Sequence, residues 1–176
     1  DFEVVFFKPK SIDIESGGTS NRHLRYEEII MNYLNDNNVE NELKLKYQFF
    51  VPWSKLIKRE LIYSNNIKFD EVISSNDVMF STKIGYYMKK YKASTEVIYC
   101  VTRGEQTLTT SRNQENFNSR FKVHINYHNF VKLILGKEEF KSLNITGIGP
   151  LLNTFKYRLG FKETVSVVIE LKKNKI

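Results

Sequence analysis

The feature that most constrains the fold of this chain is a succession of short strand-like and longer helix-like segments. Residues 3–8 form an apolar run that ends at Pro9 and predicts a buried strand. Residues 23–35 place apolar side chains at helical spacing and predict a helix. Residues 43–51 alternate apolar and polar side chains, which predicts a half-buried strand or extended segment. Residues 95–102, rich in β-branched and aromatic side chains, predict the central strand of an α/β fold.

The rest of the chain is predicted to be loop or helix. Turn-forming residues predict a loop over 11–22. Pro52 suits the first turn of a helix that would run to Leu61, and Ser75 or Asn76 suits the N-cap of the next helix. Apolar spacing then predicts helices over 115–135 and 151–159. Residues 161–171 fit either a helix or a strand, and their basic flanks slightly favour a helix. With only three or four strands, the sheet looks like part of a larger one.

Size and composition predict one globular domain. The chain has 176 residues, 41% of them hydrophobic and 14% aromatic. Its apolar runs are too short to span a bilayer. Because it opens on Asp1 and runs straight into a strand, we expect a fragment of a longer protein. The single Cys100 lies in an apolar run, so we expect a small buried side chain in a reducing, cytoplasmic protein.

The net charge of +7 is concentrated in the C-terminal third. Residues 1–119 carry 16 basic and 16 acidic side chains, whereas residues 120–176 carry 11 and 4. Such a surface can meet phosphates of nucleic acid or of lipid headgroups. Lysines outnumber arginines by 20 to 7, and arginine is the residue favoured for bidentate recognition of phosphates and bases. Specific binding of nucleic acid is therefore not expected.

Asp77 is the sharpest candidate for catalysis. A carboxylate at a helix start that opens on a cleft can accept a proton from a hydroxyl nucleophile. The competing interpretation is helix capping, in which Asp77 lies near the positive end of the helix dipole. Local sequence alone favours capping, and the two roles are compatible.

Four other residues have both a functional and a structural interpretation. Trp53 could stack on a sugar ring or a base, or belong to the core. Arg103, at the end of a predicted strand, could clamp a phosphate or pair with a structural carboxylate. His124 and His128 have metal-sharing spacing, but Ile125 stands where a zinc-protease motif needs glutamate. Partly buried, aromatic-flanked histidines are therefore favoured. The chain contains no Asp-x-Asp, P-loop, Cys-x-x-Cys or Gly-x-Gly-x-x-Gly motif.

A series of short blocks resembles the acceptor-side, C-terminal half of family-2 glycosyltransferases over residues 1–115. In order, the blocks are Val4-Val5-Phe6-Phe7, Pro52-Trp53-Ser54-Lys55-Leu56, Phe69-Asp70-Glu71, Ser75-Asn76-Asp77-Val78-Met79-Phe80, and Ile98-Tyr99-Cys100-Val101-Thr102-Arg103 through Thr107-Leu108-Thr109. Each block is short, so their order and spacing carry the resemblance. It implies a partial GT-A-like mixed sheet of three or four strands with flanking helices and a helical C-terminal third. It also implies transfer of a sugar from a nucleotide-sugar donor with inversion.

The resemblance implies a role for each matching residue. Asp77 of the Asn76-Asp77 pair would be the catalytic base, and the Tyr99–Arg103 segment would close the central sheet with Arg103 on the active-site side. The residues implied to bind substrate are Trp53, Lys55, Asn76, Tyr99 and Arg103.

The family's nucleotide-binding half, with its Asp-x-Asp metal site, is missing from this chain. A divalent metal, Mg or Mn, is therefore implied, but its site is not in the sequence. In a longer protein, we expect residues 1–115 to form the acceptor-side half and 116–176 a basic helical extension. The acceptor would be a saccharide or a lipid-linked saccharide in bacterial surface polysaccharide synthesis.

The resemblance and the charge distribution together suggest where the protein works. We expect it in the cytoplasm at the inner face of the membrane, with peripheral membrane contact through residues 120–176. The alternative function is a non-catalytic binding module whose basic C-terminal surface meets nucleic acid or an acidic partner.

Overall fold

The computed structural model of the chain describes residues 1–104 and 112–176. The Thr107-Leu108-Thr109 block of the resemblance therefore lies outside the described residues. The strands are β1 (Val4–Phe7), β2 (Lys10–Asp13), β3 (Lys55–Ile57), β4 (Tyr91–Ser94) and β5 (Cys100–Arg103). The helices are α1 (Leu24–Asn35), α2 (Val39–Gln48), α3 (Arg59–Ser64), α4 (Asn76–Tyr87), α5 (Gln114–Ile134), α6 (Lys137–Ser142), α7 (Ile148–Lys156) and α8 (Phe161–Lys173).

The described strands form two small sheets. A mixed sheet has the order β3-β1-β4, with β1 antiparallel to β3 and parallel to β4. Val5 at the centre lies opposite Leu56 on one side and Lys92 on the other. The second sheet joins β2 and β5 in parallel, with Ser11 opposite Val101. The α/β class and the mixed three-stranded sheet are as predicted. The loop predicted over 11–22 is partly wrong, because its first three residues belong to β2.

The strand predicted over residues 43–51 is wrong, because the segment up to Gln48 is helix α2. Leu43 and Tyr47 pack in one apolar cluster with α5 and α6, whereas Leu45 and Phe49 pack in another beneath the mixed sheet. Side chains two apart on a helix point in nearly opposite directions. A helix buried on two opposite sides therefore reproduces the alternation of a strand.

The helix predicted to begin at Pro52 is also wrong. Lys55–Ile57 pairs with β1 as an edge strand, and the helix α3 begins only at Arg59. Ser54 has a left-handed backbone (φ 62°), which no helix tolerates, and it turns the chain into β3. Lys55 faces the core while Leu56 is exposed, as the period of a strand requires.

The strand predicted over 95–102 is not the central strand of the fold, and only its last residues belong to a strand, β5. The strand beside β1 is β4, which ends at Ser94, and β5 pairs only with β2. The Tyr99–Arg103 segment therefore does not close the central sheet. Val97 and Cys100 are exposed, so the predicted burial of Cys100 is wrong too. Strand propensity was present, but among the described residues this segment pairs with a strand along one edge only.

Three apolar clusters join the elements. The first lies between the mixed sheet and helices α1, α2 and α4, and the third joins α5, α7 and α8. The second combines Leu43 and Met79 with Tyr127 and Val131, so it crosses the predicted boundary at residue 115. The helices predicted over 23–35, 115–135, 151–159 and 161–171 are confirmed within a few residues as α1, α5, α7 and α8. Among the described residues, no helix is both long and apolar enough to cross a membrane.

Candidate functional site

Six residues were predicted to act in catalysis or substrate binding. Four of them line one cavity of about 840 Å³: Trp53, Asn76, Asp77 and Arg103. The cavity lies where the loop before α1, the segment after α2 and the start of α4 meet. Four arginines also line it, so we call it the arginine cavity: Arg22, Arg25, Arg103 and Arg120.

Asp77 lies in the first turn of α4, as predicted. Burial raises the pKa of its carboxyl above the usual value, while its own backbone N–H, Lys55 and Arg22 pull the pKa down. A half-buried carboxylate with a raised pKa, open to a cavity, has the properties of a general base. The predicted cap Ser75 makes no side-chain hydrogen bond and has a left-handed backbone (φ 64°). Such a conformation is strained for a residue other than glycine, and strained residues cluster at functional sites.

Lys55 lies behind the cavity rather than in its lining. Its side chain is buried, and Nζ donates a hydrogen bond to the Phe49 carbonyl oxygen at 2.7 Å. The ammonium also lies 5.2 Å from the centroid of the Phe6 ring and 5.0 Å from that of Phe49. Burial lowers the pKa of Lys55 to about 7, and the charge of Asp77 opposes this shift. A direct contact between Lys55 and a ligand, which the resemblance implies, is therefore not supported by this placement.

An aromatic wall borders the arginine cavity. Trp53 and Tyr99 stack with ring centroids 5.7 Å apart and planes 17° apart, and Tyr26 packs edge-on against Trp53 at 5.4 Å. Tyr99 is not in the cavity lining, and its exposed ring covers part of one face of Trp53, which also packs against the first apolar cluster. Flat aromatic faces of this kind suit the apolar face of a sugar ring.

The arginines make the cavity strongly cationic. The chain has seven arginines, and four of them lie here, whereas Asp77 is the only acidic side chain in the described lining. Arg103 Nη1 donates to Asn21 Oδ1 at 3.2 Å, and Arg22 Nη1 donates to the Thr102 carbonyl at 3.2 Å. Guanidinium groups held in this way bind phosphates through charge-assisted hydrogen bonds.

Sequence reasoning missed three of these arginines, although one signal was present. Arg25 lies in the first turn of α1, where the helix dipole disfavours a cation. Arg22 stands just before that helix, whereas Arg120 is the seventh residue of α5 and lies beyond its first turn. Basic residues at helix starts, where they oppose the dipole, indicate that an anion is expected there.

A buried hydrogen-bond network fixes the turn that carries Arg22. Ser20 Oγ donates to Ser11 Oγ at 2.7 Å, and Ser11 Oγ donates to the Ser20 carbonyl at 2.9 Å. His23 Nδ1 lies 2.6 Å from Ser11 Oγ, and Nε2 lies 3.3 Å from Glu27 Oε2. The order resembles a Ser-His-acid triad, but Ser11 is fully buried and no substrate can reach it. The network is therefore structural and positions the start of α1.

The arginine cavity does not fit a divalent cation, because one carboxylate among four arginines cannot supply the anionic oxygen ligands that such an ion needs. Elsewhere in the described residues, no cluster of three His, Cys, Asp or Glu side chains could hold a metal. His128 is buried with its ring edge-on to Phe140, and His124 lines a second pocket.

Compared with protein-family models, curated proteins and solved structures, the chain gives no match.

Proposed function

We propose that this chain forms the acceptor side of an inverting, family-2-type glycosyltransferase in bacterial surface polysaccharide synthesis. The observation that carries the proposal is Asp77, a half-buried carboxylate with a raised pKa, in a cavity that also holds an aromatic wall and four arginines. A base, a sugar platform and cationic groups are the three parts that sugar transfer from a nucleotide donor requires.

In the proposed reaction, an acceptor hydroxyl lies within hydrogen-bond reach of the Asp77 carboxylate. As its oxygen forms a bond to the anomeric carbon of the donor, the proton passes to Asp77. The bond from that carbon to the diphosphate oxygen breaks on the opposite face, and configuration inverts. Negative charge grows on the departing diphosphate, and Arg22 and Arg103 supply fixed positive charge beside it. The divalent metal implied by the resemblance has no site among the described residues, and no step here uses it.

The C-terminal helices support the proposed peripheral contact with the membrane. On α7, Ile148, Leu152 and Phe155 are exposed at helical spacing, so they form an outward stripe. On α8, the outward stripe contains Phe161, Val165 and Ile169. Exposed lysines interleave with these stripes: Lys156, Lys162, Lys172 and Lys173. Apolar side chains among lysines are typical of helices that lie on anionic bilayers, which would place the protein at the cytoplasmic face.

The experiment is an assay of nucleoside diphosphate release by the full-length protein, with a panel of nucleotide sugars and with or without saccharide and lipid-linked acceptors. The proposal expects release that depends on acceptor and falls when Trp53 is replaced by leucine. No acceptor-dependent release from any donor would overturn it. The non-catalytic alternative predicts instead binding to nucleic acid or to an acidic protein that weakens steeply with salt and is unchanged in the Trp53→Leu and Asp77→Asn variants.

A further inference from the structure

A second pocket adjoins the arginine cavity, and the proposed function leaves it unused. It has a volume of about 470 Å³ and lies among the end of α2, α5 and the start of α7. Aromatic rings dominate its walls, so we call it the aromatic pocket: Phe50, Phe117, Phe121, Tyr127 and Tyr157. Its size is within the range of small-molecule and cofactor sites.

The rings of the aromatic pocket form a fixed frame. Phe117 and Phe121 stack at 5.8 Å with planes 21° apart, and Tyr157 packs against Phe117 at 5.6 Å. On the opposite side, Phe50 meets Tyr127 edge-on at 5.0 Å. Aromatic faces held in this way stack well on a flat heterocycle.

Polar groups inside the pocket indicate that its ligand is not a hydrocarbon. Tyr127 Oη and His124 Nε2 are enclosed by protein and have no surface open to the pocket, so its accessible polar groups come from other residues. Asn144 and Asn153 add amide groups to the lining. A hydrocarbon chain would leave these groups unsatisfied, whereas the edges of a nucleobase and a ribose would pair with them.

The two cavities share Arg25 and Arg120, which places cationic groups at the mouth of the aromatic pocket. The Arg25 guanidinium lies 5.2 Å from the Phe50 ring centroid. Arg120 lies over the Tyr157 ring and donates a hydrogen bond to its hydroxyl oxygen. Each guanidinium group is thus held against a ring of the pocket. A nucleoside stacked on these rings would bring its phosphates next to both groups.

We infer that the aromatic pocket is a nucleotide site, which holds the base and ribose among its rings and amides and presents the phosphates to Arg25 and Arg120. This goes beyond the proposed sugar transfer, because such binding requires neither an acceptor nor Asp77. It also gives this chain a nucleotide site of its own, formed largely by residues after 115 and thus outside the part covered by the resemblance.

The test is calorimetric titration of the full chain, without added metal, with uridine, cytidine, adenosine and guanosine diphosphates, inorganic pyrophosphate and farnesyl diphosphate. At least one nucleoside diphosphate is expected to bind about tenfold or more tightly than pyrophosphate. Equal binding of pyrophosphate and all four nucleotides would overturn the inference. Tighter binding of farnesyl diphosphate would overturn it in favour of a prenyl chain.

Variants locate the binding. Gly149 lines the pocket, and a Cβ there would meet no atom within 4 Å, so Gly149→Phe can fill the pocket without strain at the Cβ. It is expected to weaken nucleotide binding about tenfold and leave pyrophosphate binding unchanged. The matched control is Leu152→Phe on the outward side of the same helix. Asn153→Leu, which removes one amide from the lining, should weaken the nucleotide by about fivefold.

The variants also separate the two proposals. Unchanged nucleotide affinity in both folded pocket variants would overturn the inference. A protein that binds nucleotide but transfers no sugar would refute the proposed function and leave this site standing.

Discussion

Lys55 and Asp77 interact through charge across the wall of the arginine cavity, and this interaction connects a core residue to the proposed base. The positive charge of Lys55 lowers the pKa of Asp77, and the negative charge of Asp77 raises that of Lys55. The largest influence on each is burial, which acts in the opposite direction. The buried lysine therefore acts as a positioning residue that keeps more of Asp77 in the basic form at a given pH.

Replacing Lys55 with methionine should move the pH dependence of activity. Without the neighbouring charge the pKa of Asp77 rises further, so the acid limb of the pH–rate profile is expected to shift to higher pH. The measurement is the initial rate of acceptor-dependent nucleoside diphosphate release across the acid range. Lys68→Met, at an exposed lysine, is the control and should leave the profile in place. Coincident profiles for the wild type and Lys55→Met would show that this interaction does not operate.

The same substitution should change how stability depends on pH. The pKa of Lys55 falls from 10.5 to about 7 on folding, so between these values the unfolded chain binds more protons than the folded one. The contribution of Lys55 to stability therefore rises with pH across that window. Urea unfolding at about pH 7 and about pH 9 should show the wild type gaining stability relative to Lys55→Met. A constant difference between the two proteins would contradict the lowered pKa.

At the scale of elements, α2 and α4 approach each other closely at a glycine. A Cβ at Gly85 would lie 2.0 Å from the Lys46 carbonyl oxygen, so only glycine allows the two helices to pack as they do. The contact fixes α4, whose first turn carries Asp77, against the helix that separates two of the apolar clusters.

Gly85→Ala should therefore destabilise the fold. The added methyl has to push backbone aside, and we expect the free energy of unfolding to fall by about 3 kcal/mol. Gly149→Ala is the matched control, because its Cβ meets open space and alanine is the better helix former. Its free energy of unfolding should be unchanged or higher by up to about 1 kcal/mol. Equal losses in chemical unfolding of the two variants would contradict the close helix contact.

The elements show what sequence patterns could and could not predict. One-sided patterns worked: α1 buries one stripe that includes Ile29 and Ile30, and its helical spacing was plain. The pattern of α2 misled because this helix is buried on two sides. Strand propensity over 95–102 could not say which strand would be its neighbour, since pairing is decided by the whole fold.

The candidate site was also predictable only in part, because local patterns place single residues but not the tertiary contacts between them. Local blocks placed Trp53 and Asp77 at turns and helix starts, and the fold brings both to one cavity. The inward direction of the Lys55 side chain depends on the left-handed backbone of Ser54, which the hydrophobic periodicity of the sequence does not reveal. Arg22 and Arg120 are far apart in sequence and meet only through tertiary packing.

At the scale of the whole molecule, the two ends of the chain present different surfaces. The arginine cavity is built mainly from residues before 104, whereas the exposed apolar stripes and their lysines lie on α7 and α8. Exposed apolar stripes on two packed helices are the basis for the proposed membrane contact. The basic charge around it favours an anionic bilayer as the partner.

Binding to lipid vesicles tests whether the apolar stripes on α7 and α8 contact a membrane. The wild type should sediment with vesicles that contain anionic lipid and not with neutral ones, and salt should weaken binding. The double variant Phe155→Ser/Phe161→Ser is expected to lose about tenfold or more in partitioning, because two large exposed rings no longer insert. Tyr63→Ser, at an exposed ring on α3, is the control and should bind like the wild type. Dimerisation through the stripes without vesicle binding would contradict a membrane partner.

The most direct test of the central claim compares Asp77→Asn with Glu60→Gln in the assay of acceptor-dependent nucleoside diphosphate release. Both variants neutralise a carboxylate in the first turn of a helix, but only Asp77 lines the arginine cavity. If Asp77 is the base, Asp77→Asn should lower the rate by about 10²-fold or more at unchanged thermal stability, while Glu60→Gln stays at the wild-type rate. A folded Asp77→Asn protein with the wild-type rate would contradict the claim.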